Sequence, residues 1–149
     1  MRNRVSLLPN CSYSWPRSAA ARAALAASSA RGKFSSQLVV TRTPEGQGQV
    51  SARLIESTAQ GAKILSSSAP KTVALTDLWL AVAMDFTTDK SSLGYSPDGK
   101  TWVAMPGDFP LAFDWRTGTF QGQQYSLFCY NPKGGQGRLD VDSFSLGKP

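Results

Sequence analysis

No histidine occurs anywhere in the 149-residue chain. Within it, Ser-His-Asp and Cys-His nucleophilic machinery, histidine-ligated zinc and histidine proton shuttling are therefore excluded. Cysteine is scarce: Cys11 and Cys129 lie in segments of different character and build no disulfide framework. Cys129, inside the apolar run YSLFCY, is expected as a buried free thiol. Long apolar runs are lacking too. The longest, LWLAVAM at 78–84, is far short of the ~20 residues that span a bilayer, so no membrane partner is expected. Acidic residues are absent from 1–33, which carry six Lys and Arg, whereas 34–149 balance ten basic against ten acidic side chains. The net charge of +6 thus belongs to the first segment, and the body lacks the basic groove of a nucleic-acid binder.

What is present divides at about residue 33. Residues 17–33, RSAAARAALAASSARGK, are rich in Ala, Arg and Ser, a composition that suits a disordered or weakly helical leader or an organellar transit peptide. Asn10-Cys11-Ser12 is a formal glycosylation triplet. From 34 to 149 short β-prone runs alternate with Gly, Pro, Asp and Asn punctuation every ~8–12 residues, which indicates an all-β antiparallel sandwich. The expected strands include SQLVVTR, VSARLIE, SSLGYS, KTWVAM, FPLAFDW, QQYSLFCYN and GRLDVDSFSL, with KTVALTDLWLAVAMDF as a strand pair or one bent strand.

Three segments invite a chemical reading. GYSPDGKTW at 94–102 looks like the start of a nucleophile elbow, but position 98 is Asp, both flanks are strand-like and no base exists for Ser96. It reads as a hairpin tip, with Pro97 and Asp98 in the turn and Gly99 left-handed. NPKGGQGR at 131–138 lacks phosphate-loop spacing and reads as a hairpin loop. Asp140 and Asp142, two apart on a strand, share a face with Cα atoms ~6.6 Å apart. Three roles fit: loop anchoring, ligation of Ca²⁺ as the one cofactor considered, or glycoside hydrolysis by a carboxylate pair.

Aromatics are the strongest sign of a binding function. In LWLAVAMDF, Leu78, Leu80, Val82 and Met84 form a core face, and the other face presents Trp79 followed by Ala81 and Ala83. That leaves open space beside a flat ring, on which the C–H face of a sugar can pack, unless Trp79 instead covers a second core or a helix-free flank. Trp115 stands beside Arg116 at a strand end, a common place for binding loops.

The succession of motifs over about 71–146 resembles the C-terminal β-sandwich of glycoside hydrolase family 43 β-xylosidases and arabinofuranosidases. The matching features are Asp85-Phe86 at a strand end and Tyr95-Ser96 followed by Asp98-Gly99-Lys100 and Trp102. Phe120 with Gly122 and Leu127-Phe128 with Tyr130 follow. Gly134-Gly135, then Asp140-Val141-Asp142 with Phe144, close the series. The resemblance implies a concanavalin A-like jelly roll, a domain that packs on a catalytic propeller, and xylan binding of the kind assigned to carbohydrate-binding module family 91.

The expectation is a non-enzymatic accessory module that binds xylan or a related plant cell-wall β-glycan. Trp79, Asp85, Trp115, Arg116, Gln124 and Tyr130 are its candidate sugar-binding residues, and Asp140 and Asp142 its calcium candidates. The alternatives are a structural domain of a family 43 hydrolase without its own ligand, and a small glycosidase using Asp140 and Asp142. A polysaccharide or oligosaccharide partner, a hydrolase catalytic domain and a homodimer all fit this reading. So does a secreted or cell-envelope location in preference to the cytoplasm.

Overall fold

The computed structural model describes residues 2–7, 22–29, 34–74, 77–111, 123–130, 141 and 145–147. All regular structure among them is β: β1 (Arg2–Leu7), β2 (Arg22–Ser29), β3 (Phe34–Arg42), β4 (Gly48–Thr58), β5 (Gly61–Ser67) and β6 (Lys71–Val73). Then follow β7 (Trp79–Asp85), β8 (Lys90–Ser96), β9 (Val103–Ala104), β10 (Phe109–Pro110), β11 (Gln123–Tyr130) and β12 (Ser145–Gly147). One sheet runs β10-β8-β7-β1-β12, with β9 also on β8; the other runs β11-β2-β3-β4-β5, with β6 also on β4. Every pairing is antiparallel. The sheets face each other, with β3 across from β8 and β10 and β2 across from β7. This is the antiparallel sandwich that the strand spacing implies.

Alternation along each strand decides what lies between the sheets, because successive side chains point to opposite faces. From the first sheet Leu80, Val82, Met84, Leu93 and Tyr95 turn inward, joined by Leu78, Met105, Phe109 and Leu111. From the second, Leu38, Val40, Val50 and Ala52 meet them, with Leu54, Val73, Tyr125 and Leu127 at the margin. The expected core face of LWLAVAM is therefore the core face. KTVALTDLWLAVAMDF forms two strands that belong to different sheets, β6 on β4 and β7 between β1 and β8. Between β5 and β6 the chain is tied to the sheet by Ser68, whose amide donates to the Ala52 carbonyl at 2.8 Å. The Ser68 hydroxyl in turn accepts from the Ala52 amide at 3.0 Å.

The hairpin tip behaves as its residues imply. Gly99 sits at φ +71°, and a Cβ there would lie 3.0 Å from Cε2 of Trp79, so both conformation and space demand glycine. Asp98 organises the turn. One carboxylate oxygen accepts from the fully buried Ser96 hydroxyl at 2.9 Å, from the Lys100 amide at 2.8 Å and from the Thr101 amide at 2.7 Å. The other accepts from the Thr101 hydroxyl at 3.1 Å. Ser96 is spent as a donor within the turn.

Residues 2–7 and 22–29, which composition groups with a leader, run here as β1 and β2. The boundary at residue 33 falls between β2 and β3, which pair continuously from Arg22↔Thr41 to Ser28↔Ser35. On its other side β2 pairs with all of β11. Deleting 1–33 would then leave β3 and β11 without the strand between them. The expected result is a melting point lower by more than ~8 °C, or no cooperative transition; a midpoint within a few degrees of the full chain would favour a dispensable leader.

Asp98 supplies a pH-dependent expectation. The backbone amides of Thr101 and Lys100, then the Ser96 hydroxyl, hold its carboxyl far below the usual carboxylate range. A depressed folded-state pKa contributes stability that is present above the unfolded value near 4 and lost as pH falls below it. Asp98→Asn should lower the melting temperature at pH 7. Its curve should converge on that of the parent as pH falls towards 2, and parallel curves down to that pH would remove this role.

Candidate glycan-binding site

The outward positions of β7 and β8 stand opposite one another in register: Trp79↔Ser96, Ala81↔Gly94, Ala83↔Ser92 and Asp85↔Lys90. The middle of this face therefore holds only alanine, glycine and serine. Gly94 also pairs with Ala104 of β9, and a Cβ on Gly94 would lie 3.1 Å from the Val103 carbonyl oxygen. Glycine thus lets β9 close onto β8 and brings the adjoining Trp102 to the edge of the face. The outcome is an open-sided pocket of about 200 Å³, lined by Ala81, Ala83, Ser92, Leu93, Gly94, Trp102, Val103 and Ala104.

Its chemistry is simple. One half-buried indole, several methyl groups, the Ser92 hydroxyl and exposed strand backbone make a mainly apolar depression with few polar groups. Enclosed small-molecule sites run to ~300–1,000 Å³, so a volume near 200 Å³ suits one face of a ring docking from outside. No carboxylate stands among the described residues that line it.

The sequence reading placed open space above Ala81 and Ala83, and the pocket lies there. The aromatic wall differs. Trp79 is half-buried with its indole against Gly99 of the hairpin tip, whereas the ring lining the pocket is Trp102. Trp102 could have been found from Gly94: a glycine opposite Ala81 admits the β9 segment that carries the tryptophan. Asp85, at the far end of β7, is half-buried and accepts the Thr87 amide at 2.9 Å, which starts the 86–89 turn. Gln124 and Tyr130 lie in β11, on the other sheet, paired with Ser28 and Arg22 of β2. Trp115, Arg116, Asp140 and Asp142 lie outside the described residues. Among the described residues no three His, Cys, Asp or Glu side chains come together to hold a metal ion.

The outward face of the other sheet has a different character. Val39 and Ser51, paired across β3 and β4, are 2% and 8% exposed, so this face is covered at their positions. Beside them Gln37 faces Arg53, both half-buried. The Arg53 Nε–H is buried and makes no hydrogen bond among the described residues. A buried donor left unpaired costs ~1–3 kcal/mol. The Tyr125 hydroxyl is also buried without a partner, but against the core, where burial raises the phenol pKa.

None of the curated proteins matches the chain. The family model described as the beta xylosidase C-terminal concanavalin A-like domain matches residues 25–146, beginning inside β2 and ending inside β12. That family is the accessory C-terminal module of glycoside hydrolase family 43 enzymes and not their catalytic part. With a match over most of its length and an all-β antiparallel sandwich to go with it, the chain belongs to the C-terminal concanavalin A-like domains of the family 43 β-xylosidases.

Proposed function

We propose that this domain binds xylan or a related β-linked cell-wall glycan without cleaving it, and that the pocket beside Trp102 is where a sugar ring docks. The observation that carries this reading is the pairing of an indole wall with a floor of Ala81, Ala83 and Gly94 on one outward sheet face. The C–H face of a pyranose is apolar and flat, so it gains by covering such a floor and stacking on the ring. Ser92 and the nearby backbone offer hydrogen bonds that orient its hydroxyl groups. Membership of an accessory module family of xylan-degrading enzymes supports the choice of ligand.

A structural role in a larger hydrolase is the second reading. It is favoured by Ile64 and Leu65 on β5, 52% and 42% exposed at the edge of the other sheet. Their register is offset by a bulge opposite Leu54 and Ile55, which blunts that edge for strand pairing.

Trp102→Ala and Trp102→Tyr separate the two readings. Affinity electrophoresis on xylan and titration with a xylo-oligosaccharide should show at least a tenfold loss for the alanine variant, about 1.4 kcal/mol. The tyrosine variant should recover most of it. Neither variant should hydrolyse an aryl-xyloside, and both should keep a melting point near that of the parent. Unchanged retardation by Trp102→Ala would remove the pocket from the binding role.

A further inference from the structure

The outward face of β7 and β8 continues past the Trp102 pocket. The pocket reaches as far as the Ala83–Ser92 pair, and the next outward pair in register is Asp85↔Lys90. Two residues along a strand make a step of ~6.6 Å, so charged side chains adjoin a floor that is otherwise apolar. Along β8 the exposed Lys90 and Ser92 alternate with the buried Ser91 and Leu93, which puts Lys90 on the side of Ser92 and the pocket. Asp108 stands just before β10, whose Pro110 pairs with Lys90, and its carboxylate meets the Lys90 ammonium at 2.9 Å. These two side chains are 59% and 72% exposed, so both are open to a ligand.

The opposite end of this face is filled by the chain itself. There the outward pair is Trp79↔Ser96, Ser96 is fully buried and the Trp79 indole lies against Gly99 of the hairpin tip. A depression of about 200 Å³ takes one ring, so a second ring following the strands lies over Asp85 and Lys90. The described charges there are of both signs: the Lys90 ammonium, Asp108 in contact with it and Asp85 opposite it in register. An ammonium has three donors, and the contact with Asp108 occupies one of them. Charge-assisted hydrogen bonds to hydroxyl groups are stronger than neutral ones, and a mixed pair offers both donor and acceptor without attracting a polyanion.

We propose that Lys90, beside Asp108, is the specificity-determining residue of the Trp102 pocket: its ammonium donates to hydroxyl groups of the ring next to the stacked one, so the ligand is a neutral chain of linked pyranoses and not a single sugar. The proposal rests on reading the pocket as the sugar site and adds which ligands that site prefers. Lys90 does not line the apolar floor, so its hydrogen bonds form only when the sugar chain extends past Ala83 and Ser92. Replacing it costs the fold little, because an exposed ion pair contributes little stability.

The test titrates methyl β-xyloside, xylobiose and xylotetraose into the full chain, Lys90→Met, Lys90→Arg and Trp102→Ala, with a melting curve for each. The parent should bind xylotetraose at least tenfold more tightly than the xyloside, about 1.4 kcal/mol. Lys90→Met keeps the apolar stem and loses the donors. It should leave the xyloside's affinity and the melting point as they were, and reduce the gain with length to the few-fold that a longer chain obtains by offering more rings. Lys90→Arg should keep much of the gain, and Trp102→Ala should weaken all three ligands by a similar factor. A full gain in Lys90→Met, no gain in the parent, or an equal loss for all three ligands in Lys90→Met would overturn the role of Lys90. Unchanged affinities in Trp102→Ala would instead count against the pocket, and a gain that still depends on Lys90 would then stand without it.

Discussion

Burial of one face of each sheet against the other is the constraint from which the candidate site follows. Leu80, Val82 and Met84 must turn inward to meet Leu38, Val40, Val50 and Ala52, and removing any large one of these would cost ~2–5 kcal/mol. With a side-chain period of two, that requirement fixes the direction of every residue between them. Ala81 and Ala83 are outward because their neighbours are inward. A slip of one residue would put alanines into the core and Leu, Val and Met into solvent, so the floor of the pocket cannot be relocated while the core survives.

Two glycines turn this arrangement into a cavity and a rigid tip. At Gly94 the missing Cβ admits the Val103 carbonyl, and the short β9 strand brings Trp102 alongside the alanine floor. At Gly99 the missing Cβ admits the indole of Trp79, while Asp98 draws in the donors of Ser96, Lys100 and Thr101. The turn is therefore held by hydrogen bonds from below and by an aromatic ring on its side. A wall residue only one position beyond Thr101 inherits that rigidity, which favours binding because less freedom is lost when a ligand docks.

Much of this was legible in the residues, and what escaped did so for physical reasons. β7 and β8 alternate large apolar residues with small or polar ones, and their strands and core face follow directly. β2, RAALAASS, is half alanine, which has little preference for a strand; its pairing with β3 and β11 comes from tertiary context and not from local propensity. β5, GAKILSS, is exposed throughout, so no buried face imposed a period on it. The hairpin tip could be read because Pro97, Asp98 and Gly99 each have a narrow conformational role. The choice between Trp79 and Trp102 could not, because it depends on which ring lies on Gly99 and which on the pocket. Arg53 escaped as well. One charged residue in a β-run is unremarkable until its Nε proves to be buried with no hydrogen bond among the described residues.

The most direct measurement is an NMR titration of the ¹⁵N-labelled chain with a linear xylo-oligosaccharide, followed through backbone amides and tryptophan indole signals. The account predicts saturable shifts centred on Ala81, Ala83, Ser92, Gly94 and the Trp102 indole, with the Trp79 indole and the amides of Val39 and Ser51 nearly still. Saturable shifts gathered instead around Trp79 and the hairpin tip, or none anywhere at millimolar sugar, would contradict it.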